Sequence, residues 1–188
     1  MRYLIRNGLL SLVLFAAAGA ALPAKAADTA GSAVVVMYHR FGESVHPSTN
    51  IRLEQFEAHL AELAKPQYTV LPLPEIIARL RAKKPLPERT VGITIDDAFL
   101  SVYREAFPRL KKVGLPFTLF VATDPVDRGI GGYMSWDQIR EMQKAGATIG
   151  SQTHTHLHMA RSGAARNAAD LAKSNARFEA ELGVAPKI

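Results

Sequence analysis

From residue 33 onward the chain alternates short runs of β-branched and aliphatic residues with stretches of helical periodicity. Val34-Val35-Val36-Met37-Tyr38 predicts a strand, and residues 53–64 a helix with Phe56, Leu60 and Leu63 on one face. A short strand over 68–71, a helix near 75–82 and a strand over 91–95 follow. Next come a helix through Tyr103, Phe107 and Leu110 and a strand over 117–121. Ser135-Trp136-Asp137-Gln138 has the form of a capping box, so a helix opens there. A strand over 147–150 and a long Ala-rich helix to about Leu182 complete the series, and Val184-Ala185-Pro186-Lys187-Ile188 reads as the entry to another strand.

Three helices are expected to end at glycine, Gly114, Gly146 and Gly183, each followed within a few residues by an apolar run. A glycine just past a helix supplies the left-handed residue that turns the chain back toward a sheet. Regular alternation of this kind predicts parallel strands joined by crossover helices. The strands are continuously apolar, as expected where both faces are buried. In such α/β architectures the loops after the strand C-termini carry the chemistry.

Two motifs fall in those loops. Asp96-Asp97 closes the apolar run Val91-Gly92-Ile93-Thr94-Ile95, and His154, His156 and His158 follow Gly150-Ser151-Gln152. Two adjacent carboxylates are costly at a strand end unless something uses their charge. With a histidine cluster at a second strand end they form the constellation of a metal hydrolase. His39 follows the first strand and faces the same way, either toward the site or as a hydrogen-bonded loop residue. Tyr133 and Trp136, near the glycine-containing loop 129–135, could stack on a bound ligand or pack as core.

Composition narrows the class. Residues 1–26 read as a secretory signal, with Arg2 and Arg6 before an apolar stretch and Ala24-Lys25-Ala26 as the cleavage site, so residues 27–188 form the mature domain and the protein is expected to be exported, periplasmic or secreted. No stable membrane span is expected after cleavage. Without Arg2, Arg6 and Lys25 the 23 basic residues fall to 20 against 17 acidic, a net +3, which gives no footprint for nucleic acid. The absence of cysteine excludes a disulfide framework and a lipid-anchored cysteine.

The motifs resemble those of the NodB-like polysaccharide deacetylases, carbohydrate esterase family four. Thr94-Ile95-Asp96-Asp97-Ala98 is similar to a first motif Thr-Phe-Asp-Asp-Gly, and the segment from Gly150 to Met159 to a second motif, a Gly-Ser-led His-Ser/Thr-x-x-His. Similarity extends through Val34 to His39, Phe117 to Val121 and Ser135-Trp136. The resemblance implies a distorted, incomplete (β/α) barrel of parallel strands, with about five βα units present here. It implies hydrolysis of acetyl groups on a polysaccharide or oligosaccharide with a divalent metal, zinc before cobalt or nickel. Asp96 would be the general base, and Asp97 and His156 metal ligands.

The sequence departs from that pattern in three places. Gln152 stands where the family has its first ligand histidine, unless the register slides by two residues so that His154 and His158 take the ligand positions; the unshifted register, with Gln152 in the site, is preferred because Gly150-Ser151 fixes the strand end. Ala98 replaces the motif glycine. The family's third motif and its later leaving-group histidine have no counterpart in the sequence. The expectation is therefore a partial deacetylase domain with impaired activity, or alternatively a degenerate domain that binds carbohydrate without hydrolysing it.

Overall fold

A computed structural model describes residues 31–188; the signal reading of residues 1–26 lies outside them. Seven strands and six α-helices run in the order β1 (Val34–Tyr38), β2 (Arg40–Phe41), β3 (Asn50–Ile51), α1 (Leu53–Leu63), β4 (Thr69–Val70), α2 (Leu73–Arg81), β5 (Thr90–Asp96), a π-helical turn (Val102–Ala106) leading into α3 (Phe107–Val113), β6 (Thr118–Val121), α4 (Thr123–Asp127), α5 (Trp136–Lys144), β7 (Thr148–Ser151), a 3₁₀ turn (Met159–Arg161) and α6 (Ala164–Leu182).

One sheet carries the order β1-β5-β6-β7, with β4 also bonded to β5, and every pairing is parallel. Parallel neighbours need crossovers, which the helices supply. Gly114 and Gly183 close α3 and α6 in the left-handed conformation at φ 69° and 75°. The capping box at Ser135 is present, with Gln138 N–H on the Ser135 hydroxyl and the Gln138 side chain on the Ser135 N–H.

The core lies beneath β5 and β6. β5 is buried along its whole apolar length, as its unbroken run of apolar residues requires, and Phe56, Ile95, Leu110, Leu119, Ile139, Met142 and Phe178 are sealed from solvent. β1 does not follow that rule: it is the outermost strand, and Val34, Val35 and Met37 are exposed. A continuous apolar run signals burial on both faces only when elements lie over both, and at β1 the described residues do not supply them.

Two features had no sequence signal strong enough to place them. The parallel pair β2 and β3 is only two residues per strand, and α4 is a single five-residue helix in the stretch after β6. At the far edge, the Ser151 N–H donates to the Ile188 carbonyl over 2.9 Å, so the chain after α6 returns alongside β7. The described strands form an open parallel sheet, the incomplete barrel that the sequence predicts.

Candidate active site

Asp96 is the last residue of β5, His39 follows β1 and Gln152 follows β7, so all three rise from the C-terminal edge of the sheet. Strand β6 lies between β5 and β7, and Gln152 is held over its end by its own N–H on the Val121 carbonyl at 2.9 Å. Gly150 allows this closeness: a Cβ there would lie 2.6 Å from the Phe120 ring. The glycine of the motif therefore serves strand packing.

From that position the Gln152 carboxamide bridges both acids. Its Oε1 accepts from the Asp97 N–H at 3.1 Å and its Nε2 donates to Asp96 Oδ2 at 3.3 Å. Only the oxygen can accept from an N–H, so the hydrogen-bond pattern fixes the orientation of the amide. Asp97 and Ala98 are both left-handed, at φ 73° and 52°, as are Thr153 and His156 at 67° and 55°. Such residues cost on the order of 1–3 kcal/mol each and concentrate where a fold holds a working geometry.

Two imidazoles complete the cluster. His156 Nε2 lies 3.3 Å from Asp97 Oδ1, and His39 Nε2 lies 3.9 Å from Asp96 Oδ2. The carboxyl of Asp96 is pushed above the ordinary aspartate value of 3.8, first by burial and then by the charge of Asp97, with His39, His156 and Gln152 opposing. A half-buried carboxylate of raised pKa, flanked by imidazoles on the loop face of the sheet, is suited to take a proton from water.

The structure separates the three clustered histidines. His154 is buried, with Nδ1 bonded to Thr123 Oγ1 at 2.7 Å and Nε2 3.7 Å from Asp124, so it faces α4 and not the aspartates. His158 is exposed ahead of the 3₁₀ turn. Neither stands with Asp97, so the two-residue slide that would bring both to the site is not the arrangement adopted. Trp136 is buried: its Nε1 donates to Asp127 at 2.8 Å and its ring packs edge-on to Phe178 at 5.8 Å, which makes it a core residue rather than a sugar platform. Tyr133 stays at the site. It pairs with Phe99 across an isolated bridge, ring centroids 4.9 Å apart, and burial together with the charge of Asp97 raises its hydroxyl pKa.

Two supporting groups escaped the sequence reading. Arg40 lies 3.4 Å over the Phe99 ring and pairs with Glu43 at 2.8 Å, which in turn accepts from Ser101. Asp170, on α6, accepts from the N–H groups of His154 and Thr155 and from the Thr155 hydroxyl at 2.7, 3.2 and 2.7 Å, anchoring the loop that carries His156. An aspartate inside a long polar helix gives no such signal in sequence.

A family model described as Polysaccharide deacetylase matches residues 83–188, a span that includes both motifs. The chain belongs to the polysaccharide deacetylase family. It is 32% identical over 129 residues to YxkH of Bacillus subtilis, covering 66% of this chain and 43% of that one. It is 33% identical over 115 residues to the poly-beta-1,6-N-acetyl-D-glucosamine N-deacetylase of Staphylococcus aureus, covering 58% and 38%. Among solved structures, IcaB from Ammonifex degensii aligns with a TM-score of 0.72 at 31% identity, over 82% of this chain and 71% of that one. This polysaccharide deacetylase chain thus spans less than half the length of the curated relatives it matches.

The metal expected from the family meets a mixed donor set. Two ligands of one tetrahedral ion at zinc bond lengths of about 2.0–2.1 Å stand roughly 3.3 Å apart, which suits Asp97 Oδ1 and His156 Nε2. A catalytic zinc takes three protein ligands, and here the third position is a carboxamide whose oxygen faces a backbone N–H and whose nitrogen faces a carboxylate. No group of three histidine or acidic side chains able to hold a metal occurs among the described residues. As a three-ligand zinc centre the residues do not fit.

Proposed function

We propose that this deacetylase-family domain hydrolyses the acetamide of an N-acetylated hexosamine polymer, of the poly-N-acetylglucosamine class on which the Staphylococcus aureus relative is named to act. The observation that carries the reading is Asp96, half-buried between the imidazole of His39 and the carboxamide of Gln152 on the loop face of the sheet.

In the proposed reaction the Asp96 carboxylate takes a proton from water as the water oxygen bonds to the acetyl carbon. The C–N bond then breaks, the nitrogen receives a proton, and acetate and a free amine result. His39, adjacent to Asp96, is positioned to hand over that proton. His39 stands just past the end of β1, on the same edge of the sheet as Asp96. Tyr133, near enough to Asp97 for that charge to act on its hydroxyl and backed by buried Phe99, offers an aromatic face against which a sugar ring can rest. Export fits a polymer substrate outside the cytoplasm and rests on residues 1–26; no helix among the described residues is long and apolar enough to cross a membrane.

The test is release of free amine from a β-1,6-linked N-acetylglucosamine oligomer and from chito-oligosaccharide. Asp96→Asn is expected to slow release about 10²–10⁴-fold; equal turnover by the variant would remove Asp96 from the role of base. Gln152 in the third ligand position supports a second reading, a domain that binds the polymer without cleaving it. Saturable binding of the oligomer with no amine released would select that reading.

A further inference from the structure

We propose that Gln152 is a clamp on the Asp96-Asp97 turn rather than a metal ligand, and that this site consequently has no high-affinity place for zinc. The inference uses the deacetylase reading only to say which residues form the site; its physical basis is the geometry at Gln152.

Three observations converge on it. The carboxamide is already committed at both ends, to the Asp97 N–H at 3.1 Å and to Asp96 Oδ2 at 3.3 Å. Turning its oxygen toward an ion between Asp97 and His156 would strip the acceptor from the N–H of a left-handed residue and would leave Asp96 without its amide donor. Second, the turn it holds has consecutive left-handed residues other than glycine, Asp97 and Ala98, and Ala98 is completely buried. A strained turn of this kind persists only where its surroundings over-determine it, and the Gln152 bridge, tying β7 to the end of β5, is one such restraint. Third, the remaining donors do not make up the deficit. His154 is spent on Thr123 and His158 is exposed beyond the loop, which leaves Asp97 and His156 as a two-point site.

Two protein ligands with open positions hold zinc loosely, and a carboxamide oxygen adds little for an ion that prefers imidazole and thiolate. The substitution has therefore exchanged metal affinity for a hydrogen bond that orders the two acids. Asp96 keeps a donor on its Oδ2 and Asp97 keeps its backbone geometry with or without an ion.

Zinc binding to the full chain, followed by competition with a chromophoric chelator and by calorimetry, reads this directly and independently of turnover. Gln152→His is expected to bind one zinc about 100-fold more tightly than the unaltered chain, and His156→Ala in that background to abolish the gain. Gln152→Ala is expected to lower the thermal midpoint and to change the weak zinc affinity of the unaltered chain far less than His156→Ala in that same unaltered chain does. One equivalent of zinc held by the unaltered chain as tightly as by Gln152→His would overturn the proposal. So would a loss of zinc in Gln152→Ala as large as that in His156→Ala. Should Gln152→His fail to fold, the Gln152→Ala and His156→Ala comparison still decides. Failure of the domain to release amine would leave these affinities, and the inference, untouched.

Discussion

Replacing Asp170 by alanine tests whether α6 holds the His156 loop in place. The carboxylate receives the N–H of buried His154 at 2.7 Å and both the N–H and the hydroxyl of exposed Thr155. On removal, the Thr155 groups turn to water at little cost, whereas the His154 N–H is left without an acceptor in a buried place. An unsatisfied buried donor costs about 1–3 kcal/mol, and a hydrogen bond to a charged acceptor is worth about 1.5–3 kcal/mol. The expected loss is therefore about 2 kcal/mol, or roughly 4–8 °C in thermal midpoint for a domain of this size. Asp170→Asn, which keeps an acceptor but not the charge, should lose about half as much.

Asp170 also has a pH signature. Burial, the largest influence, raises its pKa but is outweighed by hydrogen bonds from the Thr155 side chain and the backbone of Thr155 and His154, so the carboxyl lies below the usual 3.8. Depressed in the folded state, it contributes stability that is complete above 3.8 and lost as pH falls through the lower folded value. The unaltered protein should thus show an acid-induced loss that Asp170→Asn lacks. Thermal denaturation across pH, with hydrogen exchange at the His154 amide, measures both effects. A midpoint in Asp170→Ala within about 1 °C of the parent, with the His154 amide still protected, would refute the anchor.

Three further outcomes follow from the geometry. Because burial raises the Asp96 pKa above 3.8, the acid limb of kcat/KM should have its midpoint above that value; the same shift costs folding stability as pH rises through the folded pKa, so Asp96→Asn should be more stable than the parent at neutral pH but not below pH 3.8, and denaturation at both pH values checks the sign. Trp136→Phe should lower stability by about 1 kcal/mol through loss of the Asp127 hydrogen bond while leaving KM for the oligomer unchanged, and a raised KM would return Trp136 to the substrate. Gly150→Ala places a methyl 2.6 Å from the Phe120 ring and should cost about 1–3 kcal/mol by denaturant titration, with equal stability showing that β6 and β7 part freely.

The alternation of strands and helices was legible because its signals are local: periodicity, the Ser135 box and the glycines past α3 and α6 act within a few residues. The acids Asp96 and Asp97 stood out for a related reason, since a carboxylate pair at the end of an apolar strand differs from its neighbours. His156 was singled out only through the family resemblance, because spacing alone does not say which of three closely spaced imidazoles turns inward. That choice is made by left-handed residues at Thr153 and His156 and by partners on α4 and α6, Thr123 and Asp170, none of them marked by spacing. Trp136 misled because an aromatic residue beside a functional loop looks the same in sequence whether its ring faces sugar or Phe178.

The site draws His39 from β1, the acids from β5, Gln152 from beyond β7 and its loop anchor from α6, with β6 only as the floor between. The links of His39, Gln152 and His156 to the two acids are long in sequence, so none of these can form until the sheet has brought distant segments into register, and such contacts are the slow ones in folding. A ribosome must release α6 before the His156 loop has its anchor, and a nick anywhere between β1 and α6 separates parts of one centre. The Asp97–His156 pair, which joins segments 59 residues apart, is therefore a late contact and a built-in marker of a finished fold.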